Sequence, residues 1–249
     1  MRTRQSYFRQ DIRRSEYILA TARTMGLLAA VAYLFYESAI AFFALLPFGV
    51  WYFLRWEAEC IGRKQREFQE QFREAVQSIS ASMRVGYSVE NAVKETKRDL
   101  SLLYKEDAAI QREFTHMVRQ IYLQVPMEQI MEEWAGRVGQ EDVRNFVNVF
   151  VMAKKSGGNM LGIIKTTTEQ IREKLEIRAE IETMLAARKY EFKVMSAIPF
   201  GMIAYMKLSF PEFMGILYGN LLGIGVMSIC LGIYFSAYML GEKIVNIEV

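Results

Sequence analysis

The chain is short of the residues on which enzymes usually depend. Among 249 residues there is one histidine, His116, and two cysteines, Cys60 and Cys230. His116 stands beside Met117 in a helical pattern with no second ligand near it. Cys60 has no histidine partner motif, so neither nucleophilic nor metal-assisted catalysis has a set of groups to use. Gly157 and Gly162 are spaced like the outer glycines of a phosphate-binding loop, but Lys165-Thr166 comes two residues too late and a helix precedes it. The acid pairs Glu132-Glu133 and Glu141-Asp142 lie among bases and read as solvated helix faces or caps. No catalytic residue, cofactor or metal is therefore expected. Proline numbers 4 and glycine 16, so long helices are free to form, and no segment alternates with period two for long enough to make a strand.

Charge is missing from two long stretches. Between Thr24 and Leu54 only Glu37 is charged, and between Val194 and Gly241 only Lys207 and Glu212. By contrast 45 of the 59 charged residues lie between Arg55 and Lys193. The net charge of +3 is too small to suggest nucleic acid. Such a distribution implies a membrane protein with a large polar helical centre. No secretory signal is expected, because the basic start is followed by apolar segments without a small-residue cleavage site. Cys60 and Cys230 then fall in different compartments, which argues against a disulfide.

Residues 24–54 are too many for one span of about 20 residues and break naturally at Tyr36-Glu37-Ser38. The second half ends in Trp51-Tyr52-Phe53 and Trp56, residues suited to a bilayer interface. Basic flanks stand before the first half (six arginines within residues 1–23) and after the second (Arg55, Arg63, Lys64, Arg66), so both belong on the cytoplasmic side. The C-terminal block repeats the pattern, with Val194 to Phe210 crossing outward and about Gly219 to Leu240 returning. The expectation is four spans with both termini inside. Its divisions are a basic arm at 1–23, a membrane hairpin at 24–56, a cytoplasmic helical domain at 57–192, a second hairpin at 193–241 and a tail at 242–249. Gly215, Gly219 and Gly223 repeat at four-residue spacing on the last helix. They make either a packing face for another helix or the ordinary glycine content of a membrane helix.

The centre reads as an all-α bundle. Phe68, Phe72, Ala75, Val76, Ile79 and Met83 follow helical spacing, and Gly86 suits the position after the last turn. Ser88 offers an N-cap, and Pro126 fits the first turn of a later helix. Val143 to Val151 form another helix, closed at Ser156-Gly157-Gly158. From Asn159 a long amphipathic helix runs toward Pro199. Ser88-Val89-Glu90-Asn91-Ala92-Val93 aligns with Pro126-Met127-Glu128-Gln129-Ile130-Met131, which is either a weak repeat of helical hairpins or a chance match of helix-start residues.

Several segments together resemble the F domain of type II secretion and type IV pilus systems. They are Phe72-Arg73-Glu74-Ala75, Arg84-Val85-Gly86-Tyr87-Ser88-Val89-Glu90-Asn91-Ala92, Val125-Pro126-Met127-Glu128 with Trp134-Ala135-Gly136-Arg137, and Lys155-Ser156-Gly157-Gly158-Asn159-Met160 with Gln170-Ile171-Arg172. Their order spans residues 64–205. A single copy, an N-terminal hairpin and Gly-Gly-Asn where relatives usually carry Gly-Glu look most like the tight-adherence (Tad, or Flp) pilus platform of the TadB type. The resemblance implies an inner-membrane, multi-pass platform protein without enzymatic activity. Its implied partners are a hexameric secretion ATPase, a paralogous platform protein and pilin subunits, within a homo- or hetero-oligomer. Gly157, Gly158 and Asn159 would form a tight helix junction, which a C-cap followed by an N-cap explains equally well. Lys154, Lys155, Arg172 and Lys174 are candidate partner contacts because they cluster in sequence. A membrane-bound signalling or adaptor protein is the alternative, weakened by outer loops too short to fold; a small transporter is disfavoured by spans without buried charge.

Overall fold

A computed structural model describes residues 7–9, 11, 12, 14–37, 39–156, 160–218 and 220–245. Among these the protein is all-α, with no strand. The helices are α1 (Arg14–Tyr36), α2 (Ala39–Arg84), α3 (Val89–Leu103), α4 (Ala109–Tyr122), α5 (Met127–Val138), α6 (Glu141–Ser156), α7 (Met160–Ser209), α8 (Pro211–Tyr218) and α9 (Leu221–Val245). They divide into two compact units. One holds Met1–Arg13 and Ala58–Ile177; the other holds Arg14–Glu57 and Arg178–Val249. Both α2 and α7 contribute residues to each unit.

The first unit is a helical bundle with an aromatic centre. Phe72 of α2, Phe114 of α4, Trp134 of α5 and Phe146 of α6 are buried, and their rings meet edge-on or tilted at 5.7–5.9 Å. Such pairings add about 1 kcal/mol each beyond the area they bury. Around them Val76, Ile79, Val93, Ile110, Ile130 and Phe150 repeat at helical spacing and are closed to solvent. Ile164, Thr168 and Ile171 put the first half of α7 on the same core. Here α7 runs antiparallel to α6, because Lys174 reaches Asp142 in the first turn of α6.

Residues 7–12 also belong to this bundle. Phe8 is fully buried with its ring 5.7 Å from Phe68, and Ile12, one helical turn on, is buried as well. The stretch read as a basic arm thus carries an apolar anchor, and α1 begins at Arg14.

The second unit packs four long helical segments through aromatic and small residues. Leu28 of α1 lies against Gly49 of α2, and Phe48 and Trp51 of α2 against Phe235 of α9, at 4.9 and 5.3 Å. Phe200 of α7 meets Tyr234 of α9 at 5.2 Å and Phe35 of α1 at 6.0 Å, which closes the circuit. At one end Lys207 pairs with Glu37 at 3.4 Å and lies 3.6 Å from the Tyr33 ring centre. Lys207, the charge out of place in its apolar stretch, therefore has its counter-ion on the same unit. Elsewhere on the unit Arg55 pairs with Glu242, and Tyr17 donates to Glu57 at 2.9 Å. Among the described residues two helices are long and apolar enough to cross a membrane, α1 and residues Leu222–Val245.

Two sequence expectations need correction here. The charged helix does not end at Pro199: α7 continues to Ser209, since a proline removes one backbone bond and the packed neighbours hold the rest. Gly215 and Gly223 do not share the last helix, because the chain turns between α8 and α9.

Candidate interaction surfaces

The two turns at residues 84–89 and 122–127 are built alike. Gly86 N–H donates to Met83 O at 3.0 Å and Tyr87 N–H to Ser82 O at 3.2 Å, which is the Schellman arrangement of a helix end. Shifted by 38 residues (86 to 124, 83 to 121), Gln124 N–H donates to Ile121 O at 3.0 Å and Val125 N–H to Gln120 O at 3.1 Å. The helices that follow open alike too, with Ala92 N–H donating to Ser88 O and Ile130 N–H to Pro126 O. Gly86 and Gln124 take positive φ, at 100° and 59°. Ser88 caps α3 by accepting from Asn91 N–H at 3.4 Å. Pro126 is the N-cap residue of α5, one place before the first turn expected for it, with ψ at 136°. An extended backbone is what a cap position requires. Gly157, Gly158, Asn159 and Gly219 lie outside the described residues.

The four cations singled out in the sequence do not make one patch. Lys154 pairs with Glu128 of α5 at 3.0 Å, near the end of α6. Lys174 pairs at 2.6 Å with buried Asp142 at the start of α6, where Gln69 also donates at 3.2 Å. Asp142 and Lys154 are separated by about 18 Å along the helix. Arg172 pairs with Glu176 one turn along α7 at 3.7 Å, and Lys155 is exposed without an ion pair among the described residues. Sequence neighbours on α6 and α7 separate because the helices run in opposite directions. Its own backbone N–H, and then Lys154, hold the Glu128 carboxyl below its ordinary value.

Gly223 stands where a Cβ would strike the carbonyl of Leu217, so its lack of a side chain serves the α8–α9 turn. Gly215 faces open space.

An ion-pair network that the sequence reading missed ties the N-terminal residues to the bundle. Glu113, buried on α4, accepts from Tyr7 Oη at 2.8 Å and from Arg137 Nε and Nη2 at 3.2 and 2.9 Å. Arg112 donates to Asp11 at 2.5 Å. Burial, then the Glu113 carboxylate, pushes the Tyr7 phenol far above its ordinary value, so it remains a donor. The available signal was Phe8 and Ile12, an i, i+4 apolar pair within a basic stretch.

Among the described residues no cluster of histidine, cysteine, aspartate and glutamate could hold a metal. His116 is exposed, and there is no disulfide: Cys60 is buried and Cys230 exposed.

Residues 100–207 match the family model of the Type II secretion system (T2SS), protein F. The matched T2SS F segment begins in the last turn of α3, covers α4 to α6 and nearly all of α7, and so includes residues of both units. No curated protein and no solved structure matches the chain.

Proposed function

We propose that the protein is an inner-membrane platform of a Tad/Flp-type pilus or type II secretion-like assembly machine. In this role it performs no catalysis; it couples a cytoplasmic hexameric ATPase to the assembly or export of pilins, alongside a paralogous platform protein. The observation that carries the reading is the T2SS F match at 100–207, because it takes in the bundle core and the part of α7 that belongs to the second unit as one stretch of sequence. The Tad branch rests on Gly157-Gly158-Asn159.

Four spans with both termini cytoplasmic complete the proposal. The outward surface of the apolar unit supports it: Leu19, Phe43, Met202, Leu222 and Ile229, drawn from α1, α2, α7 and α9, are each more than 60% exposed. An exposed apolar surface contributed by four helices needs a partner, and lipid is the simplest one.

Affinity purification of the full chain from its host in mild detergent, followed by mass spectrometry, tests the reading. A secretion ATPase and a second platform protein should co-purify. Their absence from the eluate, with both present in the solubilised membranes, would overturn it. A Gly-Gly insertion beside Tyr190 should abolish pilus assembly while the protein still accumulates; normal assembly would remove the mechanical part of the proposal.

A further inference from the structure

On the bundle unit, α3 and α4 border a shallow cavity of about 290 Å³ lined by Lys97, Thr115, Val118, Arg119, Tyr122 and Leu123. Its lining combines the apolar Val118, Tyr122 and Leu123 with the cationic Lys97 and Arg119. Tyr122 and Leu123 are each 71% exposed, and Lys94 adds a cation by lying 4.9 Å from the Tyr122 ring centre. No acid lines it. Two carboxylates near these helices have other partners, Glu95 of α3 with Arg98 at 3.7 Å and Glu133 of α5 with Gln120 and Gln129. Arg98 of α3 pairs with Glu95 and Arg112 of α4 with Asp11. Among the described residues the other cations of these helices, Lys94, Lys97 and Arg119, have no ion pair.

We propose that this groove docks an acidic, amphipathic helix of a partner protein. Thr115, Val118, Arg119 and Tyr122 follow helical spacing along α4. A third helix laid between α3 and α4 would place apolar residues at i, i+3, i+4 and i+7 on Val118, Tyr122 and Leu123. Its flanking Asp and Glu would meet Lys94 and Lys97 on one side and Arg119 on the other. A second copy of the chain is a poor occupant, because a two-fold contact through this groove sets Lys97 and Arg119 against their own counterparts. A lipid surface is poorer still, since Lys97 and Arg119 line an indentation between α3 and α4. The proposal is independent of the pilus reading; it requires only that the partner present acidic helical surface.

The test places a photo-crosslinking amino acid at Thr115, and separately at Val118, in the full-length protein in its native membranes. The crosslinked peptide is then sequenced. The expected adduct is a segment of a different protein with apolar residues at helical spacing flanked by Asp and Glu. Its yield should fall about fivefold or more in Lys97→Glu/Arg119→Glu, from lost attraction and added repulsion. It should fall also for the unaltered charges in 1 M salt, where the screening length is about 3 Å; that arm holds even if the charge reversal disturbs folding. Adducts to lipid, to another copy of this chain, or to a basic or uncharged segment would overturn the proposal. So would a yield indifferent to both charge reversal and salt, or no adduct from either position.

Discussion

The turns at residues 84–89 and 122–127 reach one backbone geometry with different residues. The first uses glycine in the left-handed position and serine as the cap; the second uses Gln124 and Pro126. The comparison separates what a Schellman end demands, a residue at positive φ, from what merely eases it. A Cβ on Gly86 would meet no atom within 4 Å, so any cost of adding one is conformational. The second turn accepts that cost at Gln124 and has an ion pair, Glu128 to Lys154, whereas among the described residues the matching Glu90 of the first has none.

Substitutions can break this comparison, beginning with the largest effect. Gly86→Ala should destabilise by about 1–3 kcal/mol through left-handed strain, whereas Gln124→Ala should change little. Urea unfolding of the detergent-solubilised chain, followed by far-ultraviolet circular dichroism, measures both; equal effects would mean that the turns are not equivalent. Ser88→Ala should cost about 1 kcal/mol in the same assay, because α3 loses its side-chain cap. Pro126→Ala should cost about 0.5 kcal/mol by freeing the unfolded chain, with the sign set by the extended backbone already present at that position.

Gln124→Asn should stabilise by about 0.5 kcal/mol, since asparagine tolerates positive φ better than glutamine. Loss of stability there would show that Gln124 is kept for its side chain. The smallest effect concerns pH. The Glu128 carboxyl is held below its ordinary value when folded, so its contribution is present above the unfolded pKa and disappears as pH falls through the folded one. It is partly exposed, and solvent screening limits it to about 0.3 kcal/mol. Glu128→Gln should flatten the acid limb of stability against pH by that amount, and an unchanged limb would remove Lys154 as its partner.

Much of the bundle was legible because its signals are local. The spacing of Phe68, Phe72, Val76 and Ile79 marks a buried helix face, and Ser88 sits where a cap belongs. The alignment of Ser88–Val93 with Pro126–Met131 reflects the repeated turn, although nothing local in glutamine marks residue 124 for positive φ. Charge clustering was a poor guide: Lys154 and Lys174 are close in sequence but serve opposite ends of α6. The groove between α3 and α4 could not be read at all, because Lys97 and Arg119 converge only through the pairing of their helices.

By itself the sequence determined the all-α class, the polar centre between two apolar blocks and the positions of several helix ends. Each depends on residues within a turn or two of one another, or on composition over a span's length. The tertiary structure alone decided that Phe8 closes on Phe68 and that Tyr7 and Arg137 share Glu113. It alone gave Lys207 its counter-ion in Glu37 and split Gly215 from Gly223. Those pairings join residues remote in sequence, and their free energy exists only after packing has removed the intervening water.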